Sequence, residues 1–302
     1  AKTKRLKQRR DKHSKQPRSS MRNRSKYLLH MSGISVVDIG ITGSYILISR
    51  DLGQSLVPIG LNIGILLVLN LIGAWLIYRP IAELEEAATI EAQVLPSDIA
   101  NRLTNLPLFS AAWAAFLGLP YCVAISLFGG FEADDPARAA IELDNPLLYI
   151  AIFAFAYCAY FSFYAFFAAA NFGMGLRDDL SRRVGWTPAV TGPRMKTVFA
   201  IAFLGLVLPP IVLVIADLTV LEALRSRQGF TLKEAILLDL AGTLIAGAMA
   251  FFFLARLLTL PTERLLNAVN RVSEEYYDAP TPVLVDHEIG ALSENFGHMA
   301  QG

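Results

Sequence analysis

Apolar positions in this chain follow two patterns. Six runs, 27–48, 57–78, 109–129, 147–170, 197–216 and 236–258, are predominantly apolar on every face of a helix. Runs of about twenty such residues span the hydrocarbon core of a bilayer as α-helices. The stretch 260–302 differs. Leu265, Ala268 and Val272 recur at three- and four-residue steps, and Ile289, Leu292, Phe296 and Met299 repeat the stripe. Between the stripes lies a connector that contains Ala279-Pro280-Thr281-Pro282. The pattern predicts two short amphipathic helices joined by an extended link. Such helices cannot bury their stripes alone, so partner helices are expected, most simply from a second copy of the chain. The fold class is therefore all-α: a six-helix transmembrane bundle (27–258) feeding a helix–connector–helix (259–302).

Composition agrees with this layout. The chain is 54% hydrophobic and 18% charged, with a mean hydropathy of +0.45. The net charge of +1 conceals an asymmetry: residues 1–26 carry twelve Lys or Arg and one acid, Asp11, while the remainder is net acidic. That basic leader has no apolar periodicity and is expected to be disordered. Its charge suits anionic lipid headgroups better than nucleic acid, because a membrane span follows at once. No nucleic-acid partner is expected. The basic N-terminus also sets orientation: it stays in the cytoplasm, and six crossings return the C-terminus there. The inner loop 171–196, with Arg177, Arg182, Arg183, Arg194 and Lys196, fits that assignment. The inner loop 79–108 does not discriminate. It is read as helical over about 79–106, with Pro96 as a break and Ser97-Asp98 capping a second short helix. It is either a decayed repeat of the 260–302 pattern or a hairpin packed under the bundle.

The six runs contain a few polar residues. Asp38 lies near the middle of the first, where an ionised carboxylate is costly. Asn62 and Asn70 in the second are its candidate partners. Packing through interhelical hydrogen bonds, a ligand pocket and proton transport all remain open for this group. The fourth run is strongly aromatic. Tyr149, Phe153, Tyr157, Tyr160 and Tyr164 step by three or four and line one face, either as packing or as a ligand wall. The candidate pocket residues are thus Asp38, Asn62, Asn70, Tyr157, Tyr160 and Tyr164. Pro209-Pro210 and Pro120 are expected to kink their helices. Cys122 and Cys158 sit inside apolar runs and give no metal spacing. His13, His30, His287 and His298 are scattered, and no motif for catalysis appears. No catalytic residue, metal site or cofactor is expected in this segment.

The stretch after the sixth run resembles a HAMP linker, the signal-relay module of bacterial receptors, sensor kinases and some cyclases. Pro261 stands where the family has a proline at the start of its first helix. Asp286-His287-Glu288-Ile289-Gly290 matches the acidic-Glu-Ile-Gly opening of its second. Tyr277, Val283 and Val285 are available as buried connector residues, and the connector lacks the glycine that many HAMP linkers carry. The resemblance implies a parallel four-helix coiled coil in a homodimer. It makes Pro261, Leu265, Ala268, Val272, Glu288, Ile289, Gly290, Leu292 and Phe296 the relay residues.

Six spans followed by a HAMP linker are similar to the membrane half of a group of bacterial class III adenylate cyclases. That resemblance implies a multi-pass plasma-membrane receptor that senses a membrane-soluble ligand such as a lipid or fatty acid. Its partners would be membrane lipids, a second copy and its own downstream output domain. That domain, absent from this chain, would make cyclic AMP and pyrophosphate from ATP with Mg or Mn. A sensor histidine kinase input, a transporter tethered to a relay and a purely structural dimer anchor remain the rival readings.

Overall fold

Every regular element among the described residues is an α-helix. The computed structural model describes residues 23–33, 35–36, 39, 60, 63–73, 75–79, 82, 97–128, 146–184, 195–224, 232–274, 283–285 and 287–301. In chain order the helices are α1 (23–33), α2 (Ile63–Arg79), α3 (Ser97–Phe128), α4 (Pro146–Val184), α5 (Met195–Leu224), α6 (Leu232–Ser273) and α7 (Glu288–Gln301).

α4 is the axis of the bundle. It packs against α3, α5 and α6. Tyr164, Ala165, Phe167, Ala168, Ala169, Phe172 and Met174 are buried over more than one face of it. A helix apolar on all faces belongs inside others, and the run of alanines lets the neighbouring backbones approach closely. Two buried clusters meet on it. The first joins Tyr27 and Met31 of α1, Tyr78 of α2, Leu103 and Leu106 of α3, and Tyr164, Phe172 and Leu180 of α4. The second joins Phe167 and Met174 of α4, Ala202 of α5, Leu257 of α6, and Leu284 and Val285. Phe253 of α6 packs against both.

α3 and α4 run further than their apolar cores. Ser97 begins α3, as its capping chemistry predicts, but no second break follows. The helix continues for 32 residues through the third apolar run. α4 continues for 39 residues, to Val184, well past the expected end at 170. The two extensions, 97–108 and 171–184, each add a rod of about 18–21 Å. Leu103 and Leu106 meet Leu176 and Leu180 there, and buried Arg177 donates from Nη2 to Thr104 Oγ1 at 3.0 Å. Residues read as loop are thus helix, because Phe172, Leu176 and Leu180 continue a four-residue stripe past Gly173 and Gly175.

α1 and α2 are fastened to this axis by polar and aromatic contacts. Tyr27 stacks on Tyr78 with ring centroids 5.6 Å apart and meets Phe172 edge-on at 5.3 Å. Tyr27 Oη and Ser110 Oγ share a hydrogen bond of 2.9 Å.

The outward faces are apolar. Leu67, Leu71 and Trp75 of α2, Phe109 and Phe116 of α3, Phe203, Leu208 and Ile215 of α5, and Leu244, Phe251 and Phe252 of α6 are exposed. In water a belt of this extent would drive aggregation; in lipid it is the solvated surface. Among the described residues two helical stretches are long and apolar enough to cross a membrane: Met195–Val212, with a mean hydropathy of 2.0, and Leu240–Ser273, at 1.9. Arg79 lies over the Trp75 ring at 5.3 Å, an aromatic and basic pairing suited to a membrane–water boundary.

Candidate functional site

α6 is one helix of 42 residues from Leu232 to Ser273, and Pro261 lies inside it. It is therefore a rod of about 63 Å that joins the apolar part to the first amphipathic stripe without a break. Proline cannot donate a backbone hydrogen bond, so the Leu257 carbonyl loses its helical partner. The next residue adds a local side-chain bond: Thr262 Oγ1 donates to the Leu258 carbonyl at 2.7 Å. The junction is a weakened turn within a continuous helix. Pro209 and Pro210 likewise lie inside α5, which continues through them.

Below the junction Ala268 is buried and Leu265 and Val272 are half-buried, while Leu266 and Val269 are exposed. α7 is split in the same way. Ile289 and Phe296 are half-buried and Gly290 is buried, but Leu292 is 57% and Met299 68% exposed. Within one chain the predicted stripe is only partly covered.

The described part of the connector, residues 283–285, is deeply packed. Val283, Leu284 and Val285 are 1%, 2% and 6% exposed. Leu284 and Val285 belong to the cluster with Phe167, Met174, Ala202 and Leu257. Side chains of this size contribute about 1.5–3 kcal/mol each when fully buried, as an upper bound. This end of the connector therefore rests against α4, α5 and α6. Buried His287 precedes α7, and its carbonyl accepts the Ala291 N–H at 3.1 Å. Glu288 Oε2 accepts the backbone N–H of Met195, the first residue of α5, at 2.6 Å.

Residues 253–302 form a HAMP domain. The match begins on α6, eight residues before Pro261, and takes in the connector and α7. No curated protein and no solved structure matches the chain. The HAMP domain marks a signal-relay linker of a signalling protein, and with two apolar helices it points to the membrane. Within the matched range Pro261 lies at the junction, Leu265, Ala268 and Val272 on the first helix, and Glu288, Ile289, Gly290, Leu292 and Phe296 on the second.

The sequence pattern did not single out the partners that hold the HAMP domain. Asp178 on the extension of α4 accepts Arg264 Nη2 at 3.2 Å and Arg182 Nη2 at 3.0 Å. Arg264 Nε is buried without a hydrogen-bond partner. The four-residue stripe through Leu180 was the available signal for this extension; the long-range pairing had none.

The candidate pocket residues divide. Asp38, Asn62 and the side chain of Tyr157 lie outside the described residues. Asn70 Nδ2 donates to Ser35 Oγ at 2.8 Å and to the Leu66 carbonyl of its own helix at 2.8 Å, joining α2 to Ser35. Tyr164 donates to the His30 carbonyl at 3.0 Å. Tyr160 is shared between the Gly242 and Thr243 carbonyls of α6 at 3.3 and 3.2 Å. Both tyrosines act as interhelical struts. With Phe163, Gly205, Leu206, Thr243 and Gly247 they also line a narrow crevice of about 10 Å³ among α4, α5 and α6, room for about one water molecule. Among the described residues no three His, Cys, Asp or Glu side chains gather closely enough to hold a metal ion.

Proposed function

We propose that this chain is the membrane receptor and relay segment of a bacterial class III adenylate cyclase. It sits in the plasma membrane as a six-span bundle with both termini in the cytoplasm, and it works as a homodimer. The observation that carries the reading is the unbroken course of α6 from an apolar, outward-facing segment through Pro261 into the HAMP domain. Movement of that rod repacks the HAMP helices, and alternative packings separated by a few kcal/mol bias the downstream domain. The exposed apolar belt on α2, α3, α5 and α6 supports multiple spans. The exposed Leu266, Val269, Leu292 and Met299 support a second copy, whose stripe would cover them.

The ligand class is a lipid or fatty acid, taken up among the spans. The crevice beside Tyr160 and Tyr164 has an apolar lining, and an acyl chain would enter there only if α4, α5 and α6 parted. The output domain converts ATP to cyclic AMP and pyrophosphate and itself holds the Mg or Mn that this chemistry uses. The test joins this chain to a class III cyclase domain and measures cyclic AMP in membranes with and without added fatty acids. A ligand-dependent change supports the reading. An unresponsive but folded and active chimera removes lipid sensing. Phosphotransfer from a histidine in the natural downstream sequence would replace the cyclase with a sensor kinase.

A further inference from the structure

α5 holds the HAMP domain as well as α6. The first backbone N–H groups of a helix have no acceptor within it, and α5 has no acidic residue in its first turn. Glu288 supplies both lacks from the far side of the HAMP connector. Its Oε2 takes the Met195 N–H at 2.6 Å, and its charge faces the positive end of the helix dipole. Further along α5, Val198, Ile201 and Ala202 pack in one cluster with Leu284, Val285 and Ile289. Phe167 and Met174 of α4 complete that cluster, and Asp178 of α4 holds Arg264 on the first HAMP helix at 3.2 Å.

We propose that the connector is a clasp through which α5, backed by α4, positions the second HAMP helix, while α6 positions the first. This deepens the relay reading and rests on it, but it concerns the route by which motion enters. The two HAMP helices are then driven by different helices of the bundle. The quantity transmitted is the displacement of α5 against α6, not the movement of α6 alone. A packed interface moves between discrete arrangements and does not deform smoothly. A shift of α5 therefore carries the second helix with it, or releases the connector and exposes Val283, Leu284 and Val285. Either event changes the register between the two HAMP helices.

Crosslinking in membranes containing the full chain tests the clasp. Cys122 and Cys158 are first replaced by serine. Met195→Cys is then paired with Val285→Cys and treated with a short bismaleimide. The expected product is a crosslink within one chain, formed about threefold more slowly in Glu288→Ala but near the parent rate in Glu288→Gln, whose amide oxygen still accepts. A second pair, Ala202→Cys with Leu284→Cys, reports the apolar half of the clasp without touching Glu288. Crosslinks that form only between two chains would overturn the proposal. So would their absence from both pairs when Asp178→Cys and Arg264→Cys still crosslink. A cyclase chimera that kept its ligand response in that case would leave the relay standing and remove the clasp alone.

Discussion

Arg264, three residues beyond Pro261 on α6, directs Nη2 at Asp178 Oδ2 on α4, 3.2 Å away, and Asp178 also receives Arg182 at 3.0 Å. The first HAMP helix is thus tied sideways to the extension of the central helix, just below the weakened turn at Pro261.

The two members of that pair are unequal, and their substitutions should differ. Asp178→Ala leaves two guanidinium groups without their carboxylate and is expected to cost about 1 kcal/mol. Arg264→Met leaves Asp178 paired with Arg182 and also removes the unpartnered Nε, so its cost should stay below about 0.5 kcal/mol. Thermal unfolding in detergent checks the order. Equal costs would show that Arg182 does not hold Asp178 once Arg264 is gone.

The close approach of α4 to α5 at Gly205 admits no side chain. A Cβ there would overlap the Phe163 ring, which is already held edge-on against Phe167 at 5.1 Å. Gly205→Ala should destabilise by about 1–3 kcal/mol through overpacking. Gly175→Ala has nothing within 4 Å of the added carbon and should be neutral or slightly stabilising, because alanine favours the helix. The melting temperatures of the two variants should therefore move apart.

Removing single hydroxyls separates the two tyrosine struts. Tyr164→Phe deletes a 3.0 Å bond to the His30 carbonyl and should cost about 1 kcal/mol. Tyr160→Phe deletes two long bonds of 3.3 and 3.2 Å to carbonyls inside α6, and should cost less. If the crevice opens to take an acyl chain, Tyr160→Phe should leave fatty-acid binding within about threefold. Enlarging Leu206 to Trp should abolish that binding. Binding of a fluorescent fatty acid to detergent-solubilised protein measures both.

Restoring the missing donor at the junction should stiffen it. Pro261→Ala gives the Leu257 carbonyl a partner. Amide hydrogen exchange over residues 258–265 is expected to slow at least about tenfold, given the cost of an interior proline. The output of a chimera should then respond less to its ligand. Unchanged exchange would mean that the turn is already rigid with Pro261 in place.

The uncovered HAMP faces give a prediction about assembly. Leu292→Glu places a charge on a face exposed in the single chain, so the protomer should keep its fold. In the proposed dimer the same charge lies in the seam and should raise the dissociation constant at least about tenfold. Mass photometry of the two forms in detergent distinguishes the cases. A dimer of unchanged affinity would place the second copy elsewhere.

Residues alone revealed the local order of this chain. Hydrophobic length predicted apolar helices, and three- and four-residue steps predicted the amphipathic pair. Pro261 with Glu288-Ile289-Gly290 located the HAMP domain, because these signals reside in near neighbours along the chain. Ser97 marked a helix start for the same reason. The length of α4 was half visible in the stripe through Phe172, Leu176 and Leu180, but the arginines and glycines around it read as loop. Long-range geometry was decided by the tertiary structure. Glu288 meets Met195, Asp178 meets Arg264, and Leu284 enters a cluster shared by three bundle helices, although nothing in the spacing of these residues pairs them. Such contacts arise when buried surfaces choose their neighbours, and that choice depends on shape and volume summed over the whole bundle, which no local periodicity encodes.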